Sequence, residues 1–245
     1  MKQIDDINQK YLILLSRHGF TGEIQCIKDK NQAKTDMIQK DKHIRITINL
    51  SKVDFKNYED QLSYLVRKAV LPCLRLETDR LILRRFEERD ASPCFEFLSD
   101  RMTCYMDGGY EPYAAMDDAY MALMDSLMGQ ETRYMIVLKK EDKAIGTINL
   151  FPAKDRAVEA MEIGYVVSPN YRRQGYAYEA VKALTDYLLE DLHLELFIAG
   201  AFAENISSQG LLKKLGFQPE GKRRKAFWYP PLGAVDLLYY YLERN

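Results

Sequence analysis

Apolar side chains recur at helical spacing near the start of the chain, at Ile4, Ile7, Tyr11, Leu14 and Leu15, until Gly19 stops the run. Two stretches, Glu23 to Ile27 and His43 to Leu50, instead alternate apolar with polar residues as strands do, across a connection rich in Lys, Asp and Gln. Helical spacing returns from Tyr58 to Leu71, with Leu62, Leu65, Val66 and Ala69 on one face and Pro72 ending it. Residues 1–74 therefore read as a small α-β-β-α unit, and no chemical motif falls within it.

Beyond Pro72 the pattern changes. It predicts a strand over 80–85, helical stretches over 90–98 and 114–128, and strands over 134–138, 143–150 and 160–167. A helix over 175–190, a strand over 195–199, a helix over 205–215 and two final strands follow. Lys140, Glu141 and Asp142 form a charged turn between apolar runs, which makes the middle strands antiparallel neighbours. A meander followed by alternating strands and helices predicts a mixed α/β layer fold over residues 75–245.

The chain has 245 residues, 47% hydrophobic and 29% charged, a composition of folded, water-soluble proteins. Its formal net charge of -1 supplies no global field for nucleic acid or an anionic surface. No uncharged stretch approaches the ~20 residues of a membrane span. The amino-terminal residues turn acidic at Asp5 and Asp6 without a signal pattern, which makes the cytoplasm the expected compartment. Cys26, Cys73, Cys94 and Cys104 and the three histidines are scattered without metal-ligand spacing, so the cysteines are expected to be reduced and no metal is expected.

The segment from Glu162 to Ala180 is the most informative. A strand ending at Val166 and Val167 feeds the turn Ser168-Pro169-Asn170-Tyr171, which leads through Arg172, Arg173, Gln174, Gly175, Tyr176 and Ala177 into a helix. Small residues at 175 and 177 let a ligand approach the helix start, where free N–H groups and the positive end of the dipole favour a phosphate. Arg172 and Arg173 add charge at that mouth. An ordinary strand-turn-helix with a solvated Arg pair would have the same local pattern.

Arg172, Gly175 and Ala177 match the Q/R-x-x-G-x-G/A signature, and with it the chain resembles the GNAT N-acetyltransferase superfamily. Three further blocks agree in order with its ribosomal-protein N-terminal acetyltransferase (RimJ/RimL-like) branch. They are Leu76 to Arg84, Glu162 to Tyr165, and Asn205, Ser208, Lys214, Gly216 and Phe217. The resemblance covers residues 75–245. It implies a GNAT fold, acetyl-CoA as cosubstrate with its pyrophosphate on residues 172–177, and an amine acceptor such as a protein N-terminus or a small molecule. It also implies that Asn205 binds the cofactor and that the Val166 and Val167 backbone holds pantetheine and polarises the thioester.

Physical reasoning places Asn205, Ser208 and Leu212 on nearly one side of a helix, with Asn205 as a good N-cap. Many superfamily members carry a proton-donating Tyr where this chain has Leu212, so Ser208 is the nearest candidate to stabilise the departing thiolate, with water as the alternative. The acid that the branch can carry on its sixth strand is replaced by Phe227. Glu162, on an otherwise apolar strand, is the candidate general base, because partial burial raises a carboxyl pKa; a structural acid paired with a cation is the other reading. Met121, Met124 and Met128 form a helical stripe that suits a core or an adaptable acceptor wall. Lys222 to Lys225 read as a solvated basic run. Residues 1–74 bury too little surface to be strongly stable alone, and are expected to dock on the transferase unit or on a second subunit. The missing Tyr and this extension keep open a catalytically weak acyl-CoA-binding regulatory module.

Overall fold

The computed structural model describes residues 2–27, 35–40, 42–49, 55–229 and 233–244, and it divides into two compact units, Met1–Leu74 and Arg75–Asn245. In the first unit, α1 (Lys2–Arg17) leads into β1 (Thr21–Ile27), β2 (Thr35–Lys40) and β3 (His43–Asn49), and α2 (Phe55–Val70) closes it. Their sheet has the order β1-β3-β2, with β1 parallel and β2 antiparallel to β3. The expected α-β-β-α pattern thus lacked one strand. Thr35–Lys40 has weak alternation (Met37 and Ile38 adjacent), so its strand character comes from pairing with β3. Tyr11, Leu14, Leu15, Tyr58, Leu62 and Val66 are buried, as helical spacing requires.

The second unit contains β4 (Leu76–Glu77), β5 (Leu81–Arg85), α3 (Ala91–Leu98), α4 (Arg101–Met106), α5 (Asp118–Met128), β6 (Arg133–Leu138), β7 (Lys143–Pro152) and β8 (Ala160–Val167). It continues with α6 (Tyr176–Asp186), β9 (Leu196–Phe202), α7 (Ile206–Lys214), β10 (Gln218–Tyr229) and β11 (Gly233–Glu243). The short α4 has no counterpart in the sequence pattern. Asp100 nucleates it by accepting from the Thr103 N–H at 2.7 Å.

One eight-stranded sheet runs β10-β11-β9-β8-β7-β6-β5-β4, antiparallel throughout except where β8 lies parallel to β9. One face carries Met135, Val137, Ala144 and Val166 and is covered by Cys94 and Phe97 of α3 and by Tyr120, Met124 and Leu127 of α5. Side chains alternate along a strand, so Tyr165 points to the opposite face, where its hydroxyl meets Ser208 of α7. The methionine stripe divides: Met124 is core, whereas Met121 and Met128 are exposed. No helix among the described residues is long and apolar enough to cross a membrane.

Candidate active site

β8 and β9 pair only over Ala160–Leu196, Met161–Phe197 and Glu162–Ile198, and the two strands then separate. On its other side β8 stays paired with β7 up to Val167–Gly146. The Ala153 N–H donates to the Ala160 carbonyl and the Ser168 N–H to the Ile145 carbonyl. These two bonds fix the alternation of the ladder, in which even-numbered β8 residues bond to β7 and odd-numbered ones direct their backbone toward β9. Beyond that last pairing the N–H groups of Tyr165 and Val167 therefore face a gap. The Val166 N–H lies in the ladder with Thr147, so Val167 and Tyr165 are the backbone donors at this gap. Tyr165 was not anticipated, because the sign of the alternation depends on the register with β7.

At the far end of β8 the chain turns through Pro169–Tyr171 into α6. Gly175 has φ +84° and no side chain caps the helix, which leaves the first N–H groups of α6, from Tyr176 and Ala177 onward, directed at solvent. Arg173 also occupies left-handed backbone, with φ +61°, at a cost of about 1–2 kcal/mol for a residue with a Cβ. Strain of this kind is held by its surroundings, and the turn is tied down on both sides. Arg172 Nε donates to the Val167 carbonyl at 3.0 Å, and its guanidinium also bonds the Thr103 hydroxyl. Gln174 donates to the Asn170 carbonyl at 3.2 Å.

Arg80, just before β5, is a component the sequence reading passed over. Its Nη1 donates to the Gln174 carbonyl at 3.0 Å, its Nε to Glu179 of α6 at 2.6 Å, and its guanidinium lies 4.5 Å over the Tyr176 ring. A Cβ placed on Gly175 would sit 3.3 Å from Arg80 Nη2. The only available signal was its place in the Thr78-Asp79-Arg80 run, whose Thr78 hydroxyl also bonds Glu179. A cation and uncapped N–H groups thus meet at one helix start, which fits a pyrophosphate.

Glu162 stands where β8 and β9 part, half-buried. One of its carboxylate oxygens would be 3.7 Å from a Cβ on Gly200 of β9. Burial raises its pKa above the usual carboxylate range; Asp155 adds to the rise and Arg223 opposes it. Ser208 shares a 2.8 Å hydrogen bond with the Tyr165 hydroxyl, and burial lifts Tyr165 to about 12, which keeps it a neutral donor near pH 7. Asn205 caps α7, its Oδ1 accepting from the Ser208 N–H at 3.1 Å. Leu212 is fully buried and belongs to the core rather than to a shared polar face. The basic run Lys222 to Lys225 is exposed, with Lys222 paired to Asp236 at 2.6 Å. Among the described residues no group of His, Cys, Asp and Glu could hold a metal ion.

Residues 80–218 match the acetyltransferase (GNAT) domain family. A protein of Bacillus licheniformis, the uncharacterized N-acetyltransferase p20, is 37% identical over 152 residues, 61% of this chain and 85% of its own length. The [ribosomal protein uS5]-alanine N-acetyltransferase of Escherichia coli is 25% identical over 166 residues, 62% of this chain and 81% of its own. Among solved structures, a GNAT-family acetyltransferase from Bacillus anthracis superposes with a TM-score of 0.62 at 26% identity, over 70% of this chain and 99% of that one. The parted strands, the uncapped helix start and a family match spanning both establish that this chain belongs to the GNAT acetyltransferases, enzymes that move an acetyl group from acetyl-CoA to an amine.

Proposed function

We propose that the chain acetylates a primary amine, on a protein N-terminus or a small molecule, by direct attack on acetyl-CoA in a ternary complex. The observation that carries this reading is the gap opening between β8 and β9 directly beyond Glu162, with the Gly175 helix start at the end of the same strand. Arg172, Arg173, Gln174, Gly175, Tyr176 and Ala177 would hold the pyrophosphate, joined by Arg80. The backbone of Tyr165 and Val167 would hold pantetheine and polarise the carbonyl. Val166 contributes through packing of its side chain, and Asn205 by fixing the start of α7. Acetyl-CoA supplies an activated carbonyl and a thiolate leaving group.

Glu162, directly or through a water, takes the proton from the acceptor ammonium, and its raised pKa suits that task near neutrality. The amine nitrogen then bonds to the acetyl carbon as the carbon–sulfur bond breaks, and the second proton that this nitrogen sheds goes to the thiolate, which leaves as the free thiol of CoA. Ser208 donates to the departing sulfur, and Tyr165 donates to Ser208 from behind. A role for Tyr165 offsets the absence of a donor at Leu212. The low-identity match to the uS5-alanine enzyme favours the ribosomal-protein branch. The test is transfer from labelled acetyl-CoA to pools of amines and peptides, read by mass spectrometry. Stabilisation by CoA without transfer above background would instead make the chain an acyl-CoA-binding module.

A further inference from the structure

One row of residues on the face of Glu162 has no part in the reading above. Arg133 of β6 is opposite Asn149 of β7, and Asn149 is opposite Gly164 of β8. Directly opposed residues share a face of the sheet. Glu162 is two residues from Gly164, on the same face and diagonal to Asn149.

Three observations in this row point to a ligand. The Asn149 side chain is in a residue only 8% exposed, and its Oδ1 is buried without a hydrogen-bond partner. The Nε of Arg133 is likewise buried and unpartnered. A Cβ built on Gly164 would meet nothing within 4 Å, so open space begins beside Asn149, where β8 leaves β9. Buried polar atoms are ordinarily paired, and two adjacent exceptions call for an explanation.

Their adjacency is close. The Leu150 N–H donates to the Thr132 carbonyl, which makes Arg133 and Asn149 a non-hydrogen-bonded pair, the kind with the shortest side-chain separation. An unmatched donor and an unmatched acceptor therefore sit side by side without bonding each other. Their complement is a group presenting an acceptor and a donor on neighbouring positions. An α-aminoacyl unit does this: its carbonyl oxygen accepts and its amine donates. An alkylamine or a diamine offers only the donor.

We propose that Arg133 and Asn149 form an acceptor subsite for the α-aminoacyl group, so that the enzyme selects amines carrying an adjacent carbonyl, such as amino-acid amides and peptide N-termini, over simple alkylamines. Arg133 holds the carbonyl oxygen, Asn149 orients the amine toward Glu162, and the missing side chain at Gly164 leaves room for the acceptor's α-carbon. Both are specificity residues for the reaction proposed above, and the inference rests on that reading.

The test uses the full chain and matched acceptors that differ in the carbonyl: serinamide against ethanolamine, and phenylalaninamide against phenethylamine, with putrescine as a diamine. The expected result is a kcat/KM for each amide on the order of 10- to 100-fold above its partner, because a site with unmatched polar groups rejects the analogue that cannot fill them. Arg133→Met should bring that ratio toward one by slowing the amides, Asn149→Ala should slow amide and alkylamine alike because both present the amine, and the CoA-induced thermal shift should persist in both variants. Equal rates in the wild type, or preference for alkylamines or putrescine, would overturn the proposal without any variant. An Arg133→Met variant that keeps the wild-type ratio would also overturn it, because the guanidinium would then not be reading the carbonyl. No transfer to any amine would instead defeat the proposed function itself, and the subsite with it.

Discussion

Gly175 offers the most direct test of the cofactor site, since backbone strain and ligand charge can be separated there. At φ +84° any L-residue is strained by about 1–2 kcal/mol. For a chain of this size that lowers the apo melting temperature by roughly 2–8 °C. An Ala Cβ would come within 3.3 Å of Arg80 Nη2, the end of a flexible side chain that can give way. Gly175→Ala should therefore melt earlier and still respond to CoA. Gly175→Glu has the same strain and adds a carboxylate where the pyrophosphate should sit. With CoA at 100 times its Kd, the wild type gains about 2.7 kcal/mol, a shift of roughly 5–11 °C. A hundredfold loss of affinity in Gly175→Glu would leave about 0.4 kcal/mol, a shift of roughly 1–2 °C. Differential scanning fluorimetry with and without CoA reads both quantities. An undiminished CoA shift in Gly175→Glu, or its equal loss in Gly175→Ala, would refute the assignment of the cradle.

Glu162→Gln should cut turnover ~100- to 10,000-fold with CoA affinity retained, and remove the acidic limb of the kcat/KM profile. Its folded pKa is raised, so the folded state binds more protons and stability falls as pH rises from 4.5 through the folded value. Glu162→Gln should accordingly melt higher than wild type at pH 7, and a lower melting temperature would mark a structural acid. Ser208→Ala should slow transfer about 10- to 150-fold, the value of a hydrogen bond to a charged group, and Tyr165→Phe by less. If steady-state rates are insensitive to both, water protonates the thiolate. Residues 75–245 expressed alone should retain the CoA-induced shift, since every proposed cofactor residue lies in that unit; its loss would assign residues 1–74 a part in the cofactor site.

The strand over 160–167, the small residues at the helix start and the charged turn at 140–142 were legible in the sequence because each depends on neighbours a few positions away. Alternation sets a strand, periodicity sets a helix, and Gly175 tolerates left-handed backbone because of its own chemistry. Nothing local reveals that β8 and β9 part after Glu162, because parting depends on how far two strands joined through α6 remain in register. Tyr165 meets Ser208 across 43 positions, and Thr78 meets Glu179 across 101. Arg133, Asn149 and Gly164 form a row only because three strands stack in one register. Sequence alone thus determined the elements and the phosphate turn, where the deciding interactions are short in range. The tertiary structure decided which backbone donors face the gap, what supports the candidate acid and thiolate groups, and which polar atoms remain unmatched, because each is a property of strand order and register.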